Sequence, residues 1–189
     1  MNTAAVAPRP ADQWLQRYYA GRALFSAAWV ALAFAIGRSL SPAAVGLIVA
    51  YPLWDCLANY ADARRNGGLR ANPTQTFNAV VSAAVTLAVI VSVPRGFHAV
   101  LGVIGIWATL AGILQLATAV SRWRSADAQW PMILSGAQSA LAGVFMLRRA
   151  GDASLTLGVA DVAPYAAFGA IYFAISAIVL ALRSRPTLR

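Results

Sequence analysis

The stretch 51-YPLWDCLANYADARRNGG-68 begins as an apolar helix and ends in a basic, glycine-containing turn. Asp55, Asn59 and Asp62 follow at i, i+4 and i+7, so on a helix they share one face, while Leu53 and Leu57 point elsewhere. An aspartate at the centre of a membrane helix costs about 2.5 to 3.5 kcal/mol, so in hydrocarbon that face has to turn inward. The run leaves through Arg64 and Arg65, which sets this end at a membrane surface.

The rest of the chain supports that solvent. Of its 189 residues 60% are hydrophobic and 11% charged, against about a quarter charged in soluble domains. Every basic residue is arginine and every acid is aspartate, with a formal net charge of +9. The arginines lie singly and in pairs between apolar runs, which reads as membrane topology and excludes a nucleic-acid partner. One cysteine, Cys56, and one histidine, His98, cannot supply a closed zinc site, and no metal or cofactor is expected.

Six apolar runs reach spanning length: residues 20–37, 42–61, 76–93, 99–120, 130–147 and 162–182. The connectors GRSLSP, NGGLRANP, SVPRG and RRAGD carry helix breakers, and no run alternates as a membrane strand would. The expected fold class is all-α, a polytopic bundle of six transmembrane helices. The opening MNTAAVAPRPADQWLQRYYAGR has no apolar core before a cleavage site, so no signal peptide is expected. Residues 1–19 read as a cytoplasmic arm with an interfacial segment holding Trp14, Tyr18 and Tyr19, residues 20–183 as the transmembrane domain, and 184–189 as a cytoplasmic tail. Arginines concentrate in the N-terminal arm, the second and fourth loops and the tail. The opposite face holds only Arg38, Arg95, Arg148 and Arg149, so both termini are expected inside.

A shift of 56 residues lays RALFSAAWVALAF, from Arg22, over NAVVSAAVTLAVI, from Asn78, and continues with Gly46 on Gly102, Ile48 on Ile104, Tyr51 on Trp107 and Asn59 on Gln115. A shift of 57 brings Ser82 and Ala83 onto Ser139 and Ala140. Three repeated helical hairpins are the simplest account. Small residues recur at helical spacing, at Ala27, Ala31 and Ala35, at Ala108 and Gly112, and at Ser135, Ser139 and Gly143. Such stripes let membrane helices approach closely, within one bundle or in a homo-oligomer.

The segments YPLWDCLANYADARRNGGL, GIWATLAGILQLATAVSRWR, QWPMILSGAQSALAGVFML and YAAFGAIYFAISAIVLAL resemble the HdeD-like acid-resistance membrane proteins, a family otherwise of unknown function. The resemblance runs from about Arg22 onward and rests on patterns of glycine, aromatic and small residues. It implies a bacterial inner-membrane protein of six helices, linked in some members to survival of acid stress. It brings no catalytic or binding residues with it.

Nothing in the chain reads as an enzyme. His98 follows Pro94, Arg95, Gly96 and Phe97 at a helix start, without a partnered serine and acid, and SGAQSALAG is not a nucleophile elbow. Two readings of function remain. One is a structural or stress-protective membrane protein; the other is a small transporter, channel or proton-responsive element. The candidate intramembrane polar cluster for either is Arg22, Asp55, Asn59, Asp62, Asn78 and Gln115, all in the cytoplasmic half, with Gln138 isolated in the fifth helix. Depth along the helices brings Arg22 opposite Asp55 or Asp62, with Asn59 and Asn78 assisting. The expected partners are the lipid bilayer and, in a homo-oligomer, a second copy of the chain; the sequence points to no particular small-molecule or ion ligand.

Overall fold

Proline opens the first three helices, where its missing N–H falls among amides that lack a helical partner anyway. The computed structural model describes residues 10–39, 41–121 and 130–183. Among these the helices are α1 (Pro10–Ile36), α2 (Pro42–Arg65), α3 (Pro73–Ser92), α4 (Phe97–Ser121), α5 (Trp130–Ala150) and α6 (Ala163–Arg183), and no strand occurs. Four are long and apolar enough to cross a membrane, over Gln13–Ile36, Pro73–Arg95, Phe97–Ala117 and Ala163–Leu182. The other two are polar by comparison, α2 through Asp55, Asp62, Arg64 and Arg65, α5 through Ser135, Gln138, Ser139 and its terminal Arg148 and Arg149. Each apolar run becomes one helix. The largest boundary difference is at the start: α1 runs unbroken from Pro10, so Trp14, Tyr18 and Tyr19 belong to the same helix as the first span.

Leu24, Leu87 and Leu141 are each more than 60% exposed, as are Phe34 and Phe145. In water such a surface would aggregate; in lipid it is the wetted face. Helices in lipid gain nothing from burying one more leucine, so contact depends on fit and on polar bonds. The tightest pairs are α4 with α5, α1 with α6 and α2 with α3. Between α4 and α5 the backbones nearly touch. A Cβ on Gly112 would lie 2.5 Å from the Gly136 carbonyl oxygen, and one on Gly143 would lie 2.6 Å from that of Gly105. The small-residue stripe on these helices therefore packs inside the chain. By contrast the backbones of α5 and α6 stand apart among the described residues, and side chains such as Tyr172 and Gln138 bridge them.

The α2–α3 turn is gathered by Asn72, whose Nδ2 donates to the carbonyls of Asn66 (2.7 Å), Gly68 (2.9 Å) and Ala63 (3.2 Å). Gly67 and Gly68 both take positive φ there, 101° and 97°, a conformation that a side chain would strain. At the other end the α5–α6 connection folds over the end of α1, with Ala160 N–H bonded to the Gly37 carbonyl at 3.3 Å. His98 Nε2 lies 3.1 Å from the carbonyl oxygen of Asp152, which ties the start of α4 to the same connection. The Asp152 carboxyl is fully exposed and sits below the ordinary carboxylate range, held there first by the Ser154 hydroxyl and then by the Ser154 amide.

The α4–α5 seam generates a test. Gly112→Ala or Gly143→Ala forces the two backbones apart and is expected to cost about 1 to 3 kcal/mol of stability. Gly46→Ala, whose Cβ meets nothing within 4 Å, is expected to be neutral or slightly stabilising. Thermal unfolding in detergent measures all three, and equal melting points for Gly112→Ala and Gly46→Ala would refute the close contact.

Candidate functional site

Arg22, on α1, forms an ion pair through Nη2 with Asp55 Oδ1 on α2. Its Nη1 donates to the Tyr18 hydroxyl at 2.8 Å, one turn earlier on the same helix. The guanidinium carbon lies 4.2 Å from the ring centre of Phe173 on α6, close enough for a cation–π contact. The other carboxylate oxygen, Asp55 Oδ2, accepts from Ser82 Oγ on α3 at 2.6 Å and from Asn59 Nδ2 at 3.1 Å. Asn59, itself buried, also donates to the Asp55 carbonyl at 2.8 Å. Donors from three helices thus converge on one carboxylate, and both of its oxygens are bonded within the protein. Arg22 Nε is the one buried nitrogen of this group without a partner.

The remaining residues of the expected cluster divide. Asp62 is buried but lies outside the Arg22 network; it accepts from Trp14 Nε1 at 3.3 Å and from Asn66 Nδ2 at 2.8 Å, joining the start of α1 to the end of α2. Asn78 is exposed on α3 and makes no side-chain hydrogen bond to a described residue, and the serine one turn further on, Ser82, reaches Asp55 instead. Gln115 lies on α4 across a cavity from the ion pair.

That cavity, of about 180 Å³, sits where α5 and α6 stand apart. Arg22 and Asp55 border it on one side, and Gln115, Ser135, Gln138 and Ser139 on the other. Tyr172 donates its hydroxyl to Gln138 Oε1 at 3.0 Å, and Ser139 Oγ donates to the Ala108 carbonyl at 3.1 Å. Tyr51, Trp107 and Tyr165, one from each of α2, α4 and α6, also line it, and their rings meet edge to face with centroids 6.3, 6.4 and 6.4 Å apart. Gln138 is therefore part of a polar wall. The wall was hidden in the sequence because its members lie on different helices, although Ser135 and Gln138 at i and i+3 mark a shared face of α5.

If Asp55 is what holds Arg22, its loss strands a buried cation. Asp55→Asn is expected to lower stability by about 3 to 5 kcal/mol. Ser82→Ala, which removes one hydrogen bond to a charged acceptor, should cost about 1.5 to 3 kcal/mol. Asn78→Ala should stay within about 0.5 kcal/mol of the parent. Unfolding in detergent ranks them, and an Asn78→Ala loss as large as that of Ser82→Ala would overturn the assignment.

A family model described as "Short repeat of unknown function (DUF308)" matches residues 77–148, which take in most of α3, all of α4 and most of α5. No curated protein and no solved structure matches the chain. The chain is therefore a membrane-type helical protein whose central helices are similar to a short repeat of unknown function.

Proposed function

We propose that the chain is a non-enzymatic, six-span protein of the bacterial inner membrane, with both termini in the cytoplasm and three repeated helical hairpins, acting as an HdeD-like structural or protective element under acid or envelope stress. The observation that carries the structural part is the Asp55 network: one ion pair and its hydrogen bonds join α1, α2 and α3. The repeat is supported by residues in matching roles about 56 to 58 residues apart. Ile48, Ile104 and Val162 are all buried, as are Ala33, Val89 and Met146. The edge-to-face ring of Tyr51, Trp107 and Tyr165 falls at the same spacing, and the family match over α3 to α5 is itself to a short repeat. On this reading the tight contacts α2–α3, α4–α5 and α6–α1 join one hairpin to the next. The stress role rests on the HdeD-like resemblance of the sequence.

One observation favours a second reading, a proton-responsive or solute-binding element: the Arg22–Asp55 pair borders the cavity. Protonation of Asp55 would release Arg22, and the cavity offers amide and hydroxyl groups to whatever enters.

The protective role predicts that cells lacking the chain die faster in acid and are rescued by the wild type. Unchanged survival rejects that role. Purified protein in liposomes should pass neither protons nor small solutes; a flux abolished by Asp55→Asn would move the assignment to the second reading. The six-span topology is read in a Cys56→Ala background, where Ala71→Cys is expected to label only from the cytoplasm and Ser154→Cys only from outside. Labelling of both from one side refutes it.

A further inference from the structure

A second polar group lies at the opposite end of the bundle from the ion pair. Asp161, in the short 3₁₀ turn before α6, has a side chain only 4% exposed. It accepts from Arg149 Nη2 at 2.7 Å and from the Gly158 amide at 2.8 Å, and Arg38 Nε stands 3.6 Å away. Two cations therefore share one carboxylate, which leaves a single positive charge. The two arginines are held differently. Arg149 is three-quarters buried and lies 5.7 Å from the ring centre of Phe145. Arg38 is 55% exposed and makes no hydrogen bond to any described residue, so its fork of donors is open.

These side chains line a crevice of about 570 Å³ between α1 and the α5 and α6 ends, within the roughly 300 to 1,000 Å³ of small-ligand clefts. Its polar rim is Arg38, Arg149 and Asp161; its apolar wall includes Phe34 and Phe145, both 61% exposed. Depth decides what fills it. Arg38 lies two residues past the end of α1, and the fourteen residues from Arg22 to Ile36 rise about 21 Å along the helix axis. That separation puts the rim at headgroup level in the opposite leaflet, with Phe34 one turn inside among the acyl chains.

We propose that this crevice is a binding site for one anionic phospholipid, its phosphate held between Arg38 and Arg149 and an acyl chain laid over Phe34 and Phe145. Arginine suits the task, because its planar fork can grip a phosphate through two parallel hydrogen bonds. The lipid supplies acceptors for the Arg38 Nη groups, which Asp161 does not engage, and neutralises the residual charge. Asp161 keeps Arg149 pointed at the rim and sets the preference for one anionic group over a multiply charged one.

The test uses full-length protein, delipidated in a neutral maltoside detergent, with thermal unfolding and native mass spectrometry as readouts. Phosphatidylglycerol should raise the melting temperature of the wild type and survive as a one-to-one adduct. Phosphatidylcholine and inorganic phosphate should do neither at equal concentration. Arg38→Gln gives up the 3.6 Å ion pair with Asp161 but leaves that carboxylate its bonds to Arg149 and Gly158, so it should fold, and it is expected to need at least tenfold more phosphatidylglycerol for the same shift. Arg95→Gln, an exposed arginine at the same end, should respond as the wild type does. The proposal fails if Arg38→Gln keeps the full response, if Arg95→Gln loses it equally, or if phosphatidylcholine or free phosphate reproduces it. Equal melting points of the two lipid-free variants guard against a folding defect.

Discussion

The Asp55 carboxylate sits among helices whose outer faces are apolar. In a bilayer every buried charge has to find its partners within the protein, and here the partners come from three helices at once: Arg22 from α1, Asn59 from α2 and Ser82 from α3. A carboxylate that demands three donors fixes the rotation and depth of each helix that supplies one. The rest of α1 inherits its placement from that. Trp29 sits seven residues further along, its Nε1 bonded to the Leu47 carbonyl at 2.7 Å, just before the point where Pro52 withholds an amide from α2. Trp14, eight residues the other way, reaches Asp62. The face shared by Asp55, Asn59 and Asp62 is thus the line along which α1 and α2 are joined.

The other half of the bundle is held by a different force, and the difference creates the open space. Glycines at 105, 112, 136 and 143 let α4 and α5 close to backbone contact, which lets dispersion act over a long seam without any ion pair. A helix pressed that closely to one neighbour is not free to press equally on another. α5 is drawn to α4, α6 is drawn to α1, and the gap between them holds both the central cavity and the arginine-rimmed crevice. Packing asymmetry, rather than any one residue, is the origin of the two candidate sites.

Most of the fold was legible because hydrocarbon is an unforgiving solvent: a run of apolar residues of spanning length has few alternatives to being a helix. The boundaries were less so. Trp14, Tyr18 and Tyr19 carry the amphipathic signature of an interface, yet nothing breaks the helix between Pro10 and Ala20, so the chain continues straight through. At the site, spacing on α2 and depth on α1 pointed to Arg22 and Asp55 together, since both quantities are set by helix geometry. The third helix was different. Asn78 and Ser82 lie one turn apart on the same face of α3, and only the sliding position of α3 against α2, which no local pattern encodes, decides that the serine meets the carboxylate. The cavity wall of Gln115, Ser135 and Gln138 depends likewise on how two helix pairs are placed.

The choice of charged residues follows from the same solvent. All the cations are arginine and all the anions aspartate. A lysine at position 22 could neutralise itself by losing a proton when buried; a guanidinium does not, so its charge stays and the carboxylate has to stay with it. The fork also bonds Tyr18 and Asp55 together, which a single ammonium on a flexible stem would do with less fixed geometry. Aspartate is the complementary choice, because its short side chain keeps the oxygens close to the α2 backbone, where Asn59 one turn away and Ser82 across the interface both reach them. The same pairing recurs at the far end, where Asp161 is held against its own turn by the Gly158 amide and presents its other oxygen to Arg149. Each end of the bundle is anchored by a short carboxylate fixed to its backbone and an arginine that reaches it from another helix, and the ends differ in what remains. At Asp55 every acceptor is taken, whereas at Asp161 a second arginine stands with its donors open to the membrane.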